Sequence, residues 1–120
     1  MKRVMTVDDS PSLRQMVVLT LGKMGCEVVE ATDGNDALAK LGGREFNLFL
    51  TDLNMPGMNG IELTKKLRAM PAYRFVPILL LTTESDTQKK MEGKAAGATG
   101  WIVKPFRPED LLNTVNKVMR

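Results

Sequence analysis

Five polar side chains each stand at the end of a short, largely apolar run. Asp8 and Asp9 follow Val4–Val7, Asp52 follows Phe46–Thr51, Thr82 follows Pro77–Leu81, and Lys104 follows Gly100–Val103. Three carboxylates drawn to one place repel each other, and each resists ionising unless positive charge sits among them. A hard divalent cation meets that need. Mg²⁺ takes one or two carboxylates, some carbonyl oxygens and several waters, and leaves room for a phosphoryl oxygen. Asp52 then serves as a metal ligand and as a nucleophile able to form an aspartyl phosphate. A threonine hydroxyl and a lysine ammonium beside it would hold the equatorial phosphoryl oxygens, supplying the positioning and charge neutralisation that phosphoryl transfer requires. Singly, paired aspartates usually mark a solvated turn and a lysine a surface charge. Their joint placement after consecutive strands is the signal.

Whether these groups meet depends on the elements that carry them. Arg3–Val7, Val28–Ala31, Phe46–Thr51, Pro77–Leu81 and Gly100–Val103 read as strands, several of them near-continuous apolar runs suited to burial on both faces. Helical segments alternate with them. Ser10 caps a helix starting at Pro11, with Leu13, Met16, Val17, Leu21 and Met24 on one stripe and Gly25 as its stop. A shorter helix spans about Asp33 to Leu41 and closes at Gly42-Gly43. Asn59 and Glu62 form a capping-box pair ahead of Ile61, Leu63, Leu67 and Met70, and Pro71 ends that run. Ser85 with Gln88 starts a fourth helix that offers mainly Met91 and Ala95 to a core and carries Gly93 inside it, which makes it the weakest member. Pro108 opens the fifth, whose Leu111, Leu112, Val115 and Val118 face inward.

Strand and helix in alternation predict an α/β fold, a doubly wound five-stranded parallel sheet with five helices. In the strand order 2-1-3-4-5, strands one and three flank the topological switch point, where ligands bind beyond the carboxyl ends. Asp8, Asp9 and Asp52 then converge, with Thr82 and Lys104 projecting into the same crevice. Met55-Pro56-Gly57-Met58 suits a type II turn shaping the loop after Asp52. Lys104-Pro105 is a candidate cis peptide.

Composition bounds the alternatives. The chain of 120 residues has one cysteine, Cys26, and no histidine, which excludes an internal disulfide and argues against structural zinc. One domain, 1–120, with no output domain is expected. No stretch approaches the roughly 20 apolar residues of a membrane span, and the start lacks a signal-peptide pattern, so a cytoplasmic protein is expected. The net charge of +3 lies entirely beyond residue 84, in Lys89, Lys90, Lys94, Lys104, Arg107, Lys117 and Arg120 against Asp86, Glu92, Glu109 and Asp110. That imbalance suits an acidic protein partner. Nucleic acid is not expected, since no aromatic residues interleave with the charges.

Val7-Asp8-Asp9-Ser10, Thr51-Asp52-Leu53-Asn54-Met55-Pro56-Gly57-Met58-Asn59-Gly60, Leu81-Thr82 and Val103-Lys104-Pro105-Phe106 together resemble the receiver domain of two-component response regulators. The match runs through the whole chain in order, and is most like the single-domain, CheY-like regulators of chemotaxis. The resemblance implies that Asp8, Asp9, Asp52 and the backbone carbonyl of Asn54 bind Mg²⁺. It implies that Asp52 accepts a phosphoryl group from a histidine kinase of the chemotaxis, CheA-like type, that Lys104 contacts this group, and that Thr82 moves toward it. Asn54 and Glu84 occupy the positions that tune dephosphorylation, where a phosphatase is a further partner. Family members often carry Tyr or Phe on strand five as the aromatic partner of the threonine; here that position is Trp101.

These expectations combine into a population shift. A phosphoryl group on Asp52 draws Thr82 inward, frees space for Trp101 and biases the face formed by helix four, strand five and helix five. The signalling role expected is a monomeric regulator acting on the flagellar switch or another acidic target, with a phosphorelay intermediate or phosphate sink as the alternative. A Mg²⁺-dependent phosphohydrolase is a weaker rival, because Asn54 stands where such enzymes place a proton-shuttling aspartate. Catalysis beyond the protein's own phosphoryl transfer and autodephosphorylation is not expected. Flavodoxin-like cofactor binding conflicts with Asp8-Asp9 in the first loop, and a phosphate-cradling GK[ST] loop is absent.

Overall fold

The computed structural model describes residues 1–83 and 87–119. Five strands form one parallel sheet: β1 Arg3–Val7, β2 Glu27–Ala31, β3 Leu48–Asp52, β4 Ile78–Thr82 and β5 Gly100–Val103, in the spatial order β2-β1-β3-β4-β5. Among the described residues the helices are α1 Pro11–Gly22, α2 Gly34–Ala39, α3 Gly60–Arg68, α4 Thr87–Ala96 and α5 Pro108–Val118. The order and the alternation are those expected from the sequence. None of these helices is long and apolar enough to cross a membrane.

The sheet divides two cores by the period-2 alternation of its strands. Met5, Val7, Phe49 and Ile78 face a cluster with Ala37, Leu63 and Leu67 of α2 and α3. Val4, Leu48, Leu50, Leu79, Leu81 and Ile102 face Val17, Leu21, Leu111 and Val115 of α1 and α5. The helix ends follow their sequence signals. Ser10 Oγ accepts from Leu13 N at 3.3 Å, and Asn59 with Glu62 forms a reciprocal capping box at 2.9 and 3.1 Å. Gly25 takes φ +84° just past α1.

Several details differ from expectation. β3 starts at Leu48, not Phe46, because Asn47 closes onto Arg3: its N–H donates to Arg3 O at 2.7 Å and its side-chain oxygen accepts from Arg3 N at 2.8 Å. Phe46 instead packs against Phe49 and Tyr73. Met24 falls beyond the end of α1 and is exposed. The larger correction concerns α4. Met91 is 69% exposed and Ala95 is exposed too, while Gly93 is buried and Ala96 packs against Leu53, Ile61 and Leu80. A Cβ on Gly93 would stand 2.4 Å from Leu80 Cδ1. The helix therefore lies on the sheet through its glycine, and this residue is a seat rather than a weakness. Ser85, expected to start the helix, lies outside the described residues.

One polar hub joins parts far apart in the chain. The Arg68 guanidinium donates to Gly97 O at 2.9 Å, Tyr73 O at 2.9 Å and Val76 O at 2.6 Å. It thus ties the end of α3 to the approach to β4 and to the turn before β5. Burial lowers its pKa from the ordinary guanidinium value. Hydrogen bonds from a charged donor are among the stronger ones. Replacing Arg68 with alanine is expected to cost about 2 kcal/mol, read as a lower urea midpoint at unchanged slope.

Candidate functional site

Register alone brings the site together. Val7 pairs with Thr51 across β1 and β3, so Asp8, the first residue past β1, and Asp52, the last of β3, stand side by side. Asp52 pairs with Leu81, which carries Thr82 one step further out, and Thr82 pairs with Val103, the residue before Lys104. The carboxyl ends thus form a short staircase of Asp8, Asp52, Thr82 and Lys104.

Side-chain geometry completes the cluster. One carboxylate oxygen from each of Asp8, Asp9 and Asp52 lies within 4.8 Å of the others. Burial divides the three: Asp8 is 1% exposed and Asp52 6%, whereas Asp9 is exposed to solvent. Lys104 Nζ donates to Asp52 Oδ1 at 2.9 Å and lies 3.7 Å from Asp8 Oδ2. Asp8 Oδ1 accepts from Ser10 N at 2.8 Å, but its buried Oδ2 makes no hydrogen bond. Burial raises the Asp8 pKa, with smaller contributions in the same direction from Asp52 and Asp9. The Ser10 N–H and Lys104 only partly offset this.

A buried carboxylate oxygen without a hydrogen-bond donor, facing two further carboxylates, is what a hard cation would complete. The donor set is all oxygen, and this chemistry fits Mg²⁺. The Asp8 carbonyl is also secured, accepting from Arg14 Nη1 at 2.5 Å while Arg14 Nε pairs with Glu30 at 3.2 Å. Arg14 carries no motif signal, and only the fold shows its reach to the first loop.

The remaining predicted residues are placed as follows. Thr82 is buried at the end of β4, its hydroxyl donating to Thr83 O at 3.3 Å. Asn54 is exposed on the loop after β3, and Gly57 takes the φ of +74° that a type II turn requires at its third position. The Lys104-Pro105 peptide is cis. Trp101 is 40% exposed, turned outward on β5, with Lys90 Nζ 5.7 Å from its ring centre. Glu84, expected to tune dephosphorylation, lies outside the described residues.

Gly60 is the site residue whose role the motif did not reveal. A Cβ there would meet Asp52 O at 2.4 Å, and the Gly60 N–H donates to Leu53 O at 3.0 Å. The first turn of α3 therefore rests directly on the backbone that presents Asp52.

A doubly wound parallel sheet with clustered carboxylates and a lysine at its switch point defines the receiver class of α/β domain. The chain belongs to the response regulator receiver domain family, which it matches over residues 4–116. It is similar to chemotaxis protein CheY1 of Helicobacter pylori, with 37% identity covering 98% of this chain and 96% of that one. Among solved structures, chemotaxis response regulator CheY4 of Vibrio cholerae superposes with a TM-score of 0.93 at 53% identity, covering 98% of both chains. Response regulator TrrA of Thermotoga maritima, solved in complex with Mg²⁺-BeF, superposes with a TM-score of 0.85 at 31% identity, covering 98% of this chain and 99% of that one.

Proposed function

We propose that this chain is a CheY-like response regulator that accepts a phosphoryl group on Asp52 from a phosphohistidine of a kinase and works in chemotaxis. An Asp52 carboxylate oxygen attacks phosphorus, the P–N bond breaks, and the imidazole leaves with the bonding pair. Asp8, Asp9, Asp52 and the Asn54 carbonyl would hold Mg²⁺, which when bound neutralises the carboxylates and the phosphoryl oxygens. Lys104, already 2.9 Å from Asp52, supplies a fixed positive charge to the transferred group. Thr82, at the end of the adjacent strand, supplies the hydroxyl that follows it. The resulting shift reaches Trp101 and the face of α4, β5 and α5, where exposed Lys89, Lys94, Arg107 and Lys117 suit an acidic target such as a flagellar-switch segment. Asn54 and Glu84 set the lifetime of the phosphoryl group.

The observation that carries this reading is the buried Asp8 Oδ2 that makes no hydrogen bond, beside Asp52 and Lys104. The test follows Trp101, the sole tryptophan, by fluorescence during titration with beryllofluoride, a phosphoryl mimic. A saturable change is expected with Mg²⁺ and none without it or in Asp52→Asn. Intact mass after acetyl phosphate treatment should show one phosphoryl group on the wild type and none on the variant. An unmodified wild type would overturn the reading.

A further inference from the structure

We infer that Lys90 holds Trp101 in its outward position and so sets how readily the site binds a phosphoryl group. The inference rests on the proposed receiver function, in which Trp101 turns inward when Asp52 is occupied. Trp101 lies on β5, where Leu80 of β4 is its cross-strand partner. Its ring is 40% exposed, an unfavourable position for the largest apolar side chain in the protein. Lys90, half-buried on α4, places its ammonium 5.7 Å from the ring centre. That is within the range at which a cation is attracted to the negative face of an indole. The contact is made by the outward ring, and a ring turned inward toward Thr82 would leave it, so it favours one of the two states. Only such a differential contact shifts an equilibrium.

The neighbouring charges leave Lys90 to this role. Lys89, the next residue, pairs along the helix with Glu92 at 3.8 Å. α4 is seated on the sheet by two small buried or half-buried residues, Gly93, one turn beyond Lys90, and Ala96. Removing the Lys90 charge takes away an attraction that at exposed sites corresponds to an equilibrium factor of about two- to fivefold. Where the outward state predominates, the affinity for an inward-selecting ligand rises by the same factor. Reciprocity then makes Lys90 a positioning residue for Asp52 phosphorylation, although it touches none of the reacting atoms.

The test compares wild type, Lys90→Gln and Lys90→Arg. Gln keeps much of the length without the charge, and Arg keeps the charge. Acrylamide quenching of Trp101 in the free proteins reports ring exposure, and beryllofluoride titration with Mg²⁺ reports affinity. Lys90→Gln is expected to quench less and to bind beryllofluoride about two- to fivefold more tightly, with Lys90→Arg close to wild type. Equal quenching and equal affinity in Lys90→Gln overturn the role of Lys90 while leaving the receiver reading intact. A wild type that takes up phosphoryl by mass but shows no Trp101 response removes Trp101 from the switch, and Lys90 with it. Each outcome is read on folded protein, because far-ultraviolet dichroism is recorded for all three.

Discussion

Replacing Gly60 with alanine is expected to lower stability by about 3 kcal/mol or more and to weaken Mg²⁺ binding at the same time. The added methyl would stand 2.4 Å from Asp52 O and 3.2 Å from both Asp52 C and Leu53 Cα. These are backbone atoms at the end of a central strand, paired to β4 on one side and β1 on the other, so they cannot rotate away as a side chain would. α3 is equally constrained. Ile61, Leu63 and Leu67 bury its inner face, and the Asn59–Glu62 capping box fixes its start. Either the helix lifts from the sheet or the end of β3 moves, and the second choice displaces the Asp52 carboxylate itself. Gly22 is the control, because nothing lies within 4 Å of a Cβ there. Alanine at that position should change stability by no more than about 1 kcal/mol. Urea unfolding of both variants, followed by Mg²⁺ titration, separates the two. An unchanged midpoint for Gly60→Ala would mean that the close approach imposes no constraint.

The second large effect has the opposite sign. Asp8→Asn is expected to stabilise the cation-free protein at neutral pH by about 1–2 kcal/mol, while weakening Mg²⁺ binding at least tenfold. Asp8 carries a buried oxygen with no hydrogen bond, and burial raises its pKa above the ordinary value of 3.8. Between the unfolded and the folded pKa the native state binds more protons than the unfolded chain. Stability therefore falls as pH rises through that window, and the cost is fully present above the folded pKa. The amide removes the charge and with it this dependence. Mg²⁺ is expected to act in reverse, binding the ionised carboxylate and stabilising the wild type by mass action. Thermal unfolding with and without Mg²⁺ should show the variant above the wild type in chelator, with the wild type gaining on Mg²⁺ addition and the variant barely moving. A variant less stable than wild type in chelator would mean that the Asp8 charge does not burden the cation-free fold.

Much of this site is legible in the sequence alone. Alternating apolar runs and capped helices imply a doubly wound parallel sheet. In the order 2-1-3-4-5 that goes with the receiver resemblance, the residues following strands one, three, four and five meet. Spacing is less informative about which neighbour is buried. Asp8 and Asp9 are chemically equal in the sequence, and only the pleat at the end of β1 makes one buried and the other exposed. Gly60 stands beside a capping box, but its close approach to Asp52 depends on how α3 crosses β3, which no local pattern encodes. Arg68 is illegible for a similar reason, because its partners come from two segments distant in the chain, the approach to β4 and the turn before β5. Periodicity misassigns the inward face of α4 because it counts large apolar residues. There the contacts are made by two small residues, Gly93 and Ala96.

That last feature decides how α4 can move. Interdigitated knobs lock two packed elements into discrete registers, and changing register means withdrawing each knob from its hole. α4 meets β4 through Gly93 and Ala96 against Leu80, so the helix inserts no long side chain of its own into the sheet. A displacement of α4 would withdraw no long side chain and is expected as a shear along the sheet, in which modest electrostatic differences at the rim select one seating over another.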